Sequence, residues 1–240
     1  QVPAARVGHG VPRGRRQRPR QDLDAQPVAA IIRAWALVAK GQGPAGLSHL
    51  IQSRNENITG NKSAPAIFTM QAARLADYLG DTDEMLKLAD QLFNRNDLSS
   101  QLLLQLAGLY ARHNKNLKLD QLIARLPHGF NKMKIRKALS RQATSPKIAH
   151  HIAAGIIDAS LIANKSKSDS MLKARLGLAL YLNPKSERAR FLIAQALGEI
   201  NQKQSAKEHL ANIDRAGVWS QPRLLLEVNL DRSDNIELAI

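Results

Sequence analysis

LKARLGLALYLNPKSERARFLIAQALGEINQKQSAKEHLANI, residues 172–213, alternates apolar runs of helical spacing with turn residues. ALYLNP (179–184) ends one apolar run on a proline, which a helix interior does not tolerate. A second run opens at Glu187, with Ala194 and Leu197 a turn apart. A third follows Asn201, with Ala206, Leu210 and Ile213 at helical spacing. Asn201 stands where the chain reverses, and asparagine tolerates the left-handed conformation such a reversal needs.

The same texture runs outward from this stretch. Leu102, Leu103, Leu106, Ala107 and Tyr110 recur at helical spacing, and Gly or Asn punctuates the pattern at Gly41, Gly80, Asn114, Asn201 and Asn235. Strand signals are almost absent, with no alternating run around a tight Asn-Gly or Asp-Gly turn. Gly80 to Asn114 is 34 residues, and so is Asn201 to Asn235. A fixed period of this size predicts stacked helical pairs, each of which needs a neighbour to cover its apolar face. Composition agrees: hydrophobic residues make up 44%, aromatics only 4%, and the helix formers Ala and Leu dominate.

Residues 172–213 resemble the tetratricopeptide repeat, a 34-residue unit of two antiparallel helices. Ala179–Pro184 looks like the ending of the family's second helix. Ala194 and Ala206 fall at its small positions without a gap. The template also fits 66–99 (Ala73, Ala76, Gly80, Ala89, Leu92) and 100–133 (Ala107, Tyr110, Asn114, Ile123, Leu126), and more loosely 27–60 (Ala34, Leu37, Gly41, Leu50). Units are expected near 27–60, 66–99, 100–133, 153–186 and 187–220, with a partial unit at 221–240. Met85, Leu119 and Leu172 occupy positions where the family wants a small residue, and the signature Trp of the first helix is missing. Residues 134–152 leave room for an extra helix or a break. The resemblance implies an all-α, right-handed α-α superhelix, a solenoid that binds proteins and catalyses nothing. It further implies a bacterial origin, in the cytoplasm or in the periplasm or envelope.

In that family the first helix of each unit lines a concave groove. By register the groove residues are Trp35, Arg74, Asp77, Gln101, Asn164, Arg188 and Gln195. The expected partner is a peptide or helix of another protein, held by apolar anchors with polar selectivity.

Residues 1–26 form a separate segment, rich in Arg, Gln, Pro and Gly and without apolar periodicity, which reads as a disordered basic tail. Its first 20 residues hold six arginines and no acid, so removing them brings the formal charge of +15 down to +9. A second basic segment, 128–147, carries Lys132, Lys134, Arg136, Lys137, Arg141 and Lys147. The alternative function is therefore binding of nucleic acid or an anionic membrane surface. Phe130 is the only aromatic in that segment, which argues against base stacking.

Chemistry is otherwise sparse. The absence of cysteine excludes disulfides, thiolate zinc sites and a thiol nucleophile. The seven histidines lack ligand spacing: His150 and His151 are adjacent, about 100° apart on a helix. They read as solvated or capping residues, and no metal or cofactor is expected. There is no Gly-x-Ser-x-Gly, phosphate loop or His-Glu-x-x-His, so an enzyme remains the third and weakest reading. The triplets at Asn57, Asn61 and Asn164 fit the glycosylation pattern at chance frequency. Val28–Ala39 is the most apolar run and is too short to span a membrane. The chain starts without Met and ends within an apolar pattern, so it reads as a fragment or processed piece.

Overall fold

The computed structural model describes residues 21–56, 63–140, 147–163 and 170–237. Among them are twelve helices and no strand: α1 Gln21–Ala39, α2 Gly43–Glu56, α3 Ala64–Leu79, α4 Thr82–Phe93, α5 Ser100–Arg112, α6 Asn116–Ala124, α7 Lys132–Ser140, α8 Ile148–Ala163, α9 Ser170–Leu182, α10 Glu187–Glu199, α11 Lys203–Ala211 and α12 Ser220–Glu237. The protein is all-α. Helices adjacent in sequence pack as pairs, α1 on α2, α3 on α4, α5 on α6, α8 on α9 and α10 on α11.

Four of the five punctuating residues close their helices in one way. Gly41, Gly80, Asn114 and Asn201 all have positive φ, between 55° and 78°. After each, the next N–H reaches back to a carbonyl five residues earlier: Gln42 to Leu37, Asp81 to Ala76, Lys115 to Tyr110 and Gln202 to Leu197. The positive-φ residue itself donates three residues back, to Val38, Asp77, Ala111 and Gly198. This is the Schellman closure, which satisfies carbonyls that the helix end would leave orphaned. Side-chain caps open the helices that follow elsewhere: Asp81 accepts from Glu84 N, Ser99 from Leu102 N and Ser186 from Ala189 N. Asn235 is different, because α12 runs through it.

Two further intervals are defined by the helices themselves. α1 opens at Gln21 and carries Pro27 inside it, so the change of texture at Pro27 is not a helix boundary. Packing of α1 against α2 and α8 outweighs the hydrogen bond that Pro27 cannot make. Within 134–152, an extra helix is present: residues 134–140 belong to α7, which packs on α5 and α6, and residues 148–152 belong to α8.

The small positions let helices approach closely. Ala34, Ala73, Ala89, Ala107, Ala194 and Ala206 are all fully or almost fully buried. Met85, Leu119 and Leu172 are buried as well, so the large side chains at those positions fill core space. Two apolar cores result. One joins α1 through α7, together with Ala159 and Val218; the other joins α8 through α12.

Helix α8 bridges them, packing against α1, α3 and α9. Its approach to α1 depends on Gly155, where a β-carbon would stand 2.3 Å from Ile31 Cγ2 and 3.2 Å from Gln71 Oε1. The Ile31 methyl sits on a stiff β-branched side chain and cannot swing away. Gly155→Ala is expected to destabilise the protein by about 1–3 kcal/mol through overpacking, although alanine favours helix. The urea unfolding midpoint measures this, and an unchanged or raised midpoint would contradict the close approach of α8 to α1.

Candidate functional site

On α8, IAHHIAAGIIDASLIA, Asp158 is the only formally charged carboxylate, and its side chain is 1% exposed. A carboxylate buried this deeply must find donors. It finds them on three other helices. Gln71 Nε2 donates to Oδ2 at 2.8 Å, Gln105 Nε2 donates to Oδ1 at 3.1 Å, and Arg188 Nη1 stands 2.5 Å from Oδ1. The Arg188 Nη1 contact is a charge contact without hydrogen-bond alignment. Arg188 directs its aligned donors, Nε and Nη2, to Gln101 Oε1 at 3.2 and 2.8 Å.

The network continues towards α1. Trp35 is fully buried, donates from Nε1 to Gln71 Oε1 at 3.4 Å, and stacks on His151 with centroids 4.4 Å apart and planes 15° apart. Tyr78 meets both rings edge-on. Arg74 reaches Gln105 Oε1 at 3.4 Å and His151 Nδ1 at 3.3 Å. A guanidinium only donates, so His151 Nδ1 is the acceptor in that contact. Beyond Arg74, Asp77 is held by Arg112 Nη2 at 2.5 Å and by His113 Nε2 at 2.6 Å. Burial pushes the Arg74 guanidinium down to about 10; Arg112 and Arg188 push the same way, and Asp158 and Asp77 oppose them.

A cleft of about 350 Å³ lies beside this network, between α5, α8, the start of α10 and the Val218–Trp219 segment. Arg74, Arg112 and Arg188 line it together with Leu109, Ile157 and Trp219. At its edge Glu187 accepts from Asp214 N at 2.9 Å. Burial raises the Glu187 carboxyl above the ordinary range, with the Asp214 hydrogen bond acting against that rise and the Asp214 charge adding to it.

Five residues assigned to the groove from register, Trp35, Arg74, Asp77, Gln101 and Arg188, therefore share one network. Arg74, Gln101 and Arg188 line the cleft, whereas Trp35 is fully buried. Trp35, Arg74 and Arg188 face the protein's own α8, and the Trp35 ring has no exposed surface. The physical reason is Asp158, whose burial draws α8 against these side chains. Gln195 is half-buried and makes no contact with this network, and Asn164 lies outside the described residues. His151, expected to be solvated or capping, is buried. His113 does cap, at the end of α5.

Gln71, Gln105, Arg112, His151 and Asp158 were not foreseen as members. The available signal was a lone carboxylate in an apolar run, IIDASLIA. In the basic segment, Lys132 donates to Ala124 O at 2.9 Å and Arg136 pairs with Asp120 at 2.6 Å, while Lys134 and Lys137 are exposed. Arg141 and residues 1–20 lie outside the described residues. Among the described residues no group of three or more His, Asp or Glu could hold a metal ion, and no helix is long and apolar enough to cross a membrane.

No protein-family model matches this chain, no curated protein is significantly similar to it, and no solved structure matches it. The class it belongs to is thus given by its own architecture, an all-α protein with a buried polar network between two apolar cores.

Asp158→Asn is expected to cost about 3–5 kcal/mol, because Arg188 would be left buried beside a neutral amide. Arg188→Glu would set two carboxylates together and should cost at least as much. In a double-mutant cycle, Asp158→Asn with Arg188→Gln should recover part of the loss, seen as a coupling energy of about 1 kcal/mol or more in urea unfolding. Additive losses would mean that the pair does not interact.

Proposed function

We propose that this chain is a non-catalytic interaction scaffold of tetratricopeptide type, and that it docks a partner helix on the outer face of α9. The observation that carries this is an apolar face left exposed among the described residues. Leu178 and Tyr181 are 47% and 83% exposed. With Ala174 they fall within an arc of about 60° at the helical angle per residue. The opposite face, Leu172, Leu176 and Ala179, is buried in the second core. A helix apolar on both faces is ordinarily buried on both.

The occupant is an amphipathic helix with acidic flanks. Lys173 and Arg175 border the stripe on either side, and no acid lies within α9. Ala174 and Gly177 are small, with open space above Gly177, so a partner helix can approach closely between the larger anchors. The reading as a scaffold rather than an enzyme draws support from the network, where Asp77, Asp158 and Arg188 are engaged with one another and with amides. The concave-face docking suggested by register is less favoured, because α8 already covers Trp35 and the residues around it.

The alternative, an anionic polymer or membrane surface on α7, has weaker support. Of its cations, Arg136 is neutralised by Asp120 and Lys132 caps the end of α6.

Photocrosslinking tests the proposal. Tyr181→p-benzoylphenylalanine, irradiated in an extract of the source cells, should yield an adduct whose crosslinked peptide is an acidic amphipathic helix. Leu178→Glu should lower the adduct about tenfold, the loss of one anchor worth ~1.4 kcal/mol. The exposed side chain should leave unfolding within about 0.5 kcal/mol of the parent. No adduct, equal adducts from a probe at Lys87, a homodimer, or an adduct to nucleic acid or lipid would each overturn it.

A further inference from the structure

Among the described residues, the cleft beside the network holds more positive than negative charge. Three guanidiniums, Arg74, Arg112 and Arg188, line it, and the carboxylates among them are two, Asp77 and Asp158. Arg112 is paired with Asp77 and Arg188 with Asp158. Arg74 hydrogen-bonds only to neutral partners at long distance, Gln105 at 3.4 Å and His151 at 3.3 Å, while Asp158 and Asp77 act on it through space. Lys185 and Glu187, one charge of each sign, line the cleft as well. Donors are left over as well: Arg112 Nε is buried without a hydrogen bond, and Arg188 Nη1 lacks an aligned one. Arg74 is half-buried, and a shielded guanidinium without a directly bonded anion is costly, a cost that a counter-charge relieves.

The remaining wall is apolar. Leu109, Ile157 and the ring of Trp219 face the same space, and Trp219 is held in place by Phe191 at 5.2 Å between centroids. The volume, about 350 Å³, lies in the lower part of the ~300–1,000 Å³ range of small-ligand sites. It is too small for a folded segment of another protein.

We infer that this cleft is a binding site for a small amphipathic oxyanion, a molecule with a carboxylate or phosphate head and a flat apolar body. The head takes the donors of Arg74 and Arg112, where a planar fork matches two oxygens. The body lies against Leu109, Ile157 and Trp219. This site is separate from the proposed docking face on α9, and each stands or falls without the other.

The experiment uses the full chain and three probes: 1-naphthoate, 1-naphthyl phosphate and the neutral 1-naphthamide. Calorimetric titration should show at least one anion binding ten times or more tighter than the amide, and the tighter anion identifies the head group. Arg74→Gln removes the surplus charge. It should abolish that preference while leaving the thermal midpoint of the unliganded protein unchanged or raised. A merely structural arginine would instead lower that midpoint. Ala154→Met, from the half-exposed cleft wall on α8, should block both anions without altering any charge. Binding of the amide as tightly as the anions, binding that survives Ala154→Met, no binding at all, or a lowered midpoint in Arg74→Gln would each overturn the inference.

Discussion

The carboxylate of Asp158 is the one carboxylate on α8 and is almost completely shielded from water. Desolvation of a charge this deep costs several kcal/mol unless donors replace the lost water. Gln71 from α3, Gln105 from α5 and Arg188 from α10 supply them. That requirement holds four helices in one arrangement. Rotation of α8 about its axis would turn the charge onto aliphatic side chains. His151, Gly155 and Asp158 are spaced as one helical stripe, so the aromatic stack, the close approach to Ile31 and the charge contact all demand the same rotation.

The two apolar cores gain their mutual orientation from this polar seam. Burial of Leu, Ile and Ala is non-directional and would tolerate many placements of one core against the other. Hydrogen bonds at 2.8–3.1 Å around one carboxylate tolerate few. The consequence for function is that the side chains which register assigns to an inner groove are engaged within the molecule. The proposed docking face is therefore placed elsewhere, on α9, where Leu178 and Tyr181 are exposed.

Polar satisfaction also explains why the seam is not uniform. Near Asp158 nearly every group is matched. Towards the cleft the matching thins, with Arg74 on two long neutral contacts and Arg112 Nε without any. A network built only for stability has no reason to leave cations in excess on the side where a cavity opens.

Helical class, pairing of neighbouring helices and the turns between them were legible in the sequence alone. They depend on interactions a few residues apart: apolar spacing, and Gly41, Gly80, Asn114 and Asn201 at left-handed closures. The small positions Ala34, Ala73, Ala107 and Ala194 were legible for the same reason, since helical register carries them to one face. Register likewise gathered Trp35, Arg74, Asp77, Gln101 and Arg188 on a common side. What faces that side was decided only in three dimensions. Asp158 is 87 residues from Gln71 and 53 from Gln105, and no local pattern encodes which distant donors a lone carboxylate will meet. The sequence by itself determined the helices and the faces they bury. Only the three-dimensional arrangement set α8 against Trp35, Arg74 and Arg188, because a buried charge must be satisfied wherever its donors can be brought together.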